Sequence, residues 1–192
     1  NRTITWQITD ADSDGLGEET SIVATSTITI TPVNDAPVIT ADPAASYTEN
    51  GPAVVIDDSI DISDDDDIEL DSAKGSISGD FTTGDVLTLA SPGSLNGSYD
   101  AASGVLIVSG NASLSDYAAA LSSITYHSES EDPTINSNNR TITWQITDAD
   151  SDGVGEEASI VATSTITITP VNDVPVITAA APAASYTENG PA

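Results

Sequence analysis

One stretch of this 192-residue chain occurs twice, and the duplication limits what the chain can fold into more than any other feature. Residues 1–41 run from Asn-Arg-Thr-Ile-Thr-Trp-Gln to Pro-Val-Asn-Asp-Ala-Pro-Val-Ile-Thr-Ala. Residues 139–179 read the same with three replacements: Leu16 by Val154, Thr20 by Ala158 and Ala36 by Val174. Asn139 stands where Asn1 stood, an offset of 138 residues, and after a one-residue insertion the match resumes, with 43–53 identical to 182–192. Near-identical tandem copies are the mark of an array. If Pro-Val-Asn-Asp closes a unit, the expected division is the C-terminal hairpin of a preceding repeat over 1–35, a complete repeat over 36–173, and the start of the next repeat over 174–192. Both ends then fall inside a repeat, and the expectation is a section of a longer protein.

Charge narrows the partners. Thirty-one acidic residues face three basic ones, a net charge of −28. Nucleic acid and anionic membrane both demand Lys and Arg, so neither is an expected partner. Such a charge also opposes compaction unless cations offset it. The chain is nevertheless 38% hydrophobic and strongly patterned, which separates it from disordered acidic sequences. It has no cysteine, and no run of 18 apolar residues, so no membrane-spanning helix is expected.

The pattern is that of strands. In residues 1–9, Ile4, Trp6 and Ile8 alternate with Thr3, Thr5, Gln7 and Thr9, the period of a half-buried strand. An Asp- and Gly-rich turn separates this run from a second one over 22–31, which makes a hairpin with a long acidic tip, and Trp6 and Trp144 both read as core. Further strands are expected over 38–40, 53–57, 68–78, 86–89, 105–108 and 123–126, with Asn96-Gly97 as a turn. Residues 113–122 are the only helical candidate, with Ser113 as its cap. Seven to nine short strands with turns every 8–12 residues predict an all-β, Ig- or cadherin-like antiparallel sandwich with one short helix. Its expected core is Ile56, Leu87, Leu89, Leu106, Val108, Leu121, Ile124, Tyr126, Ile142, Trp144, Ile146, Ile166 and Ile168.

Three acidic signals could carry chemistry. The turn Asp10-Ala11-Asp12-Ser13-Asp14-Gly15 returns as Asp148-Ala149-Asp150-Ser151-Asp152-Gly153, and carboxylates at alternate turn positions gather the hard oxygens that Ca²⁺ takes six to eight of. The twelfth position is Ser21 or Ser159, so this is not an EF-hand; Glu18, Glu19, Glu156 and Glu157 are alternative donors. A solvated hairpin tip is the competing reading. Next comes the run Asp64, Asp65, Asp66 and Asp67, backed by Asp57, Asp58 and Asp61; adjacent carboxylates repel by roughly 4 kcal/mol at an effective dielectric near 20, which calls for solvent or a cation. The third signal is the pair Tyr-Thr-Glu-Asn-Gly-Pro (47–52 and 186–191) and Pro-Val-Asn-Asp (32–35 and 170–173).

Through that pair the chain resembles cadherin repeats, which carry a Glu-Asn near the first strand and an Asn-Asp linker between domains. With Gly-Asp-Phe-Thr-Thr-Gly-Asp-Val-Leu-Thr-Leu (79–89), it is similar to the cadherin-like tandem repeats of giant secreted bacterial adhesins of RTX type, and more faintly to chondroitin sulfate proteoglycan repeats. The resemblance implies calcium at the junctions between domains. It implies Asn34, Asp35 and Glu49 at the junction before the complete repeat, faced by Asp64 and Asp66, and Asn172, Asp173 and Glu188 at the next. The plain Asp run departs from the alternating pattern of animal cadherins.

No enzyme constellation is present: one His, His127, no Cys, and no phosphate-cradling loop beside the single Lys74. The function that the resemblance implies is a calcium-stiffened extender of an extracellular, type I secreted bacterial adhesin, which projects a distal binding domain in adhesion or biofilm formation. Its partners would be neighbouring repeats of the same chain, with domain-swapped or head-to-tail self-contacts where a repeat is incomplete. A calcium-dependent lectin-like repeat is the alternative, and an accessory domain of an enzyme a third.

Overall fold

The computed structural model describes residues 1–151, 153–177 and 188. Thirteen strands and one helix follow in the order β1 (Arg2–Trp6), β2 (Ala24–Ile28), β3 (Val38–Thr40), β4 (Ala44–Thr48), β5 (Val54–Val55), β6 (Asp61–Ser63), β7 (Glu69–Gly79), β8 (Asp85–Leu89), β9 (Asn96–Asp100), β10 (Val105–Ser113), α1 (Leu114–Leu121), β11 (Ile124–Ser128), β12 (Asn139–Asp148) and β13 (Ala162–Thr169). The chain is an all-β sandwich. A six-stranded sheet, β4-β13-β12-β7-β10-β9, shares one core with a three-stranded sheet, β5-β11-β8, and a β3–β6 pair.

Alternation builds the large sheet. Along β12, Arg140, Ile142, Trp144, Ile146 and Asp148 are buried while the threonines between them stay half-exposed. Along β13 the same parity buries Ser164, Ile166 and Ile168. Trp144 lies across Gly75 of β7, where a Cβ would come within 3.0 Å of the indole ring, so a glycine is needed to seat it. The indole N–H donates to Ser164 Oγ at 2.9 Å, which leaves the buried ring without an unpaired donor. Every residue of the expected core is buried except Leu89, which is partly buried against it. The helix is capped as its sequence suggests, with Asp116 N–H donating to Ser113 Oγ at 3.2 Å.

Four expectations need correction. The 36–173 unit holds eleven strands, not seven to nine. Asn96-Gly97 is no turn but the start of β9, because Leu106 and Val108 of β10 need a partner on their far side. The sheet is not purely antiparallel: β4 joins β13 in parallel, with Thr48 opposite Thr169. Trp6, expected in the core, is 55% exposed, because β1 and β2 pair only with each other.

A buried ion pair ties the two sheets. Arg140 Nε lies 2.6 Å from Asp85 Oδ2, and both side chains are fully buried. Asp85 also accepts from Thr82 N–H at 2.8 Å and Tyr126 O–H at 2.6 Å. The remaining Arg140 donors reach the carbonyls of Pro133, Ser137 and Asn139 and so hold the polar loop before β12. Fully satisfied in this way, the pair avoids the penalty that a half-paired buried charge would carry.

Strand register places the two linkers at opposite ends of β12. β3 pairs with β6, so the linker before it arrives beside Asp64. Asp148 ends β12 at that arrival end, opposite Leu70. The other end of β12, Asn139, pairs with Thr167, near the point where Thr169 leaves the sheet beside Thr48. β12 has ten residues, so at about 3.4 Å per residue the arrival and departure ends stand roughly 30 Å apart.

Candidate metal centre

At the arrival end a connected set of polar side chains is drawn together from three places in the chain. The linker supplies Asn34, whose amide donates to Asp148 Oδ2 at 3.1 Å, and Asp35, whose N–H donates to Asp66 Oδ2 at 3.1 Å. The run after β6 folds on itself: Asp64 Oδ1 accepts from the N–H groups of Asp66 and Asp67 at 3.1 and 3.0 Å. Asp67 Oδ1 takes both the backbone N–H and the hydroxyl of Ser151 from the tip beyond β12. Asp148 Oδ1 accepts from Glu157 N–H at 2.7 Å.

Asp148 is filled at both oxygens, but Asp64, Asp66 and Asp67 each use one oxygen and Asn34 only its amide nitrogen, which leaves the second atom of each without a protein partner. Asn34 Oδ1, Asp64 Oδ2, Asp66 Oδ1 and Asp67 Oδ2 are all buried and unpaired. Asn34 and Asp67 are themselves only 8% and 2% exposed. An unsatisfied buried acceptor costs about 1–3 kcal/mol, so native structures leave one only where something else fills the need. The Asp66 carboxyl is held above the usual carboxylate range, first by burial and then by the neighbouring Asp64; the Asp35 N–H pulls the other way.

Among the described residues no group of three or more Asp, Glu, His or Cys side chains is arranged to enclose an ion. The donor set is all hard oxygen, without thiol or imidazole, which is the chemistry of Ca²⁺ and does not suit softer metals. The orphaned oxygens are of the kind taken by the ion that the resemblance implies.

The departure end is simpler. Glu49 is 4% exposed; its Oε2 accepts from Val171 N–H at 2.7 Å, and its Oε1 is buried with no partner. Glu49 therefore does not stand with Asn34 and Asp35, as expected, but at the opposite end, against the following linker. The cause is the parallel β4–β13 pairing, which carries the end of β4 to the end of β13. Asn172 and Asp173 continue that linker and are exposed.

The Asp turns behave otherwise. Asp10 Oδ1 caps Glu19 N–H at 2.8 Å, Asp12 Oδ1 caps Gly17 N–H at 2.8 Å, and Asp14 Oδ1 caps Leu16 N–H at 3.1 Å. Asp150 Oδ1 repeats the contact with Gly155 N–H at 2.8 Å. These carboxylates close their own loop, and all but Asp148 are exposed, so the turn is not itself gathered around one point. Asp152 lies outside the described residues, and Glu188 is exposed.

Asp67 was not singled out by the sequence, because a plain run gives no parity to separate its members. Asp57, suspected only as part of the acidic cluster, is a structural acceptor filled by Asp42 N–H, Ser59 N–H and the hydroxyls of Ser59 and Ser164. No protein-family model matches the chain, and neither does any curated protein or solved structure.

Proposed function

We propose that the repeat is a mechanical spacer in a tandem array, stiffened by Ca²⁺ at its junctions, on an extracellular bacterial adhesin. The observation that carries this reading is the placement of the buried unpaired oxygens. They stand at both ends of a beam roughly 30 Å long, each beside the linker that enters or leaves it. A cation at the arrival end would take Asn34, Asp64, Asp66 and Asp67, and would join the linker, the Asp run and the Ser151 tip into one body. Glu49 would contribute at the departure end. When bound, the ion supplies only positive charge and fixed coordination; the chain's own residues set the angle of the linker. The role is structural and needs no catalytic group. Among the described residues no helix is long and apolar enough to cross a membrane.

Small-angle scattering from a chain of four repeats tests this reading. A maximum dimension that shortens on chelation supports it, and equal extension with and without Ca²⁺ removes it.

A further inference from the structure

Both sheet faces of this chain are poor in outward carboxylates, and the wider of the two is built on β4, β13, β12 and β7. β4 and β13 contain no acidic residue, β12 only the inward Asp148, and β7 only Glu69 and Asp71 near its start. Most outward positions of these four strands carry hydroxyls instead. Thr143 pairs with Thr163 and Thr141 with Thr165 across β12 and β13, Ser46 of β4 continues one row beside Thr167, and Ser76 of β7 bonds Thr143 at 2.7 Å. Lys74, exposed on β7, is the sole positive side chain at the surface of residues 36–173, because Arg140 is buried against Asp85.

We propose that this neutral hydroxyl face is a lateral docking surface for a second copy of the same chain. Two chains of net charge −28 repel wherever their carboxylates meet, and at physiological salt that repulsion fades within about 8 Å. The broadest approach that keeps the acidic residues apart is face to face through β4, β13, β12 and β7, where Thr methyls and hydroxyls can pack and pair; the β5-β11-β8 face is narrower. Four strands about 4.8 Å apart, averaging roughly 30 Å in length, offer on the order of 550 Å² per copy, the area of a weak, transient contact rather than a permanent dimer. The duplicated hairpin carries the same outward residues at Thr3, Thr5, Thr25 and Thr27, so each unit of an array repeats the face. Weak contacts repeated along parallel arrays add up through effective concentration. The inference does not require a bound cation.

Sedimentation equilibrium of the 192-residue chain from micromolar to millimolar concentration, in chelator, tests it. Monomer–dimer behaviour is expected, with the dissociation constant raised well over about tenfold by Thr143→Asp/Thr165→Asp, since like charges placed opposite one another cost several kcal/mol. A Trp6→Ser/Ile28→Ser variant, altered only in the exposed β1–β2 hairpin, should dimerise like the wild type. The chain has no cysteine, so single thiols give a second readout. Under mild oxidation Thr143→Cys should form disulfide-linked dimers and Thr88→Cys, on β8 of the other sheet, should not. A chain that stays monomeric at millimolar concentration, association lost with the hairpin variant, or equal cross-linking from both thiols would overturn the proposal.

Discussion

Trp6 and Trp144 hold the same place in the same sequence, and each indole donates to a serine hydroxyl at 2.9 Å, Ser26 in one case and Ser164 in the other. Yet Trp6 is 55% exposed and Trp144 is fully buried. The register is shared too, with Arg2 opposite Ile28 and Arg140 opposite Ile166. The hairpin's shape is thus local, whereas its burial comes from β7 and β4, which flank only the second copy. Truncating the two rings should therefore have unequal effects. Trp144→Ala is expected to cost about 3–5 kcal/mol, and Trp6→Ala well under about 1 kcal/mol, as measured by urea unfolding.

The Asp85–Arg140 pair gives a second prediction. Removing one partner strands a buried charge, so Arg140→Met or Asp85→Asn should each destabilise by about 3–5 kcal/mol. Replacing both together, Asp85→Leu with Arg140→Met, should recover part of the loss, because an apolar pair leaves no charge unmatched. A double-mutant cycle read by denaturant midpoints checks this. The single variants should also free the loop at 129–138 for proteolysis, since Arg140 holds two of its carbonyls, those of Pro133 and Ser137.

Alkali should unfold the domain through its tyrosines. Burial, then the charge of Asp85, pushes Tyr99 up to about 12, and burial, then Asp71, does the same to Tyr117. Tyr126 is raised as well, by burial first and then by its bond to Asp85. In the unfolded chain these phenols ionise near pH 10. Their contribution to stability is thus complete below pH 10 and is lost as pH rises from there through about 12. Phenolate absorbance from these three should consequently appear late and together with loss of structure. Smooth ionisation at pH 10 with the fold intact would contradict the burial of all three.

How much of this was legible follows from where the information lies. Strand parity is local, so the inward residues of β12 and β13 could be read directly, as could the Ser113 cap. The same parity places Arg140 with Ile142, Trp144 and Ile146, and a buried arginine demands a carboxylate; that signal was present, but which of the 31 acidic residues answers it, Asp85, is set by the fold. The exposure of Trp6 was not legible, because it depends on strands elsewhere. Nor was the position of Glu49, which follows from a parallel pairing between segments more than a hundred residues apart. Within the Asp run, choosing Asp67 required knowing that Ser151 would come to meet it.

The central claim is that the oxygens left unpaired at the arrival end are cation ligands, and titrating Ca²⁺ into the metal-free 192-residue chain by calorimetry tests it most directly. The account predicts binding, and unfolding stability raised by about 2.7 kcal/mol when free Ca²⁺ reaches a hundredfold over its dissociation constant. It also predicts that Asp64→Asn/Asp67→Asn removes that binding while the fold persists. A chain that gives no binding heat and unfolds identically in Ca²⁺ and in chelator, or a double variant that titrates like the wild type, would contradict it.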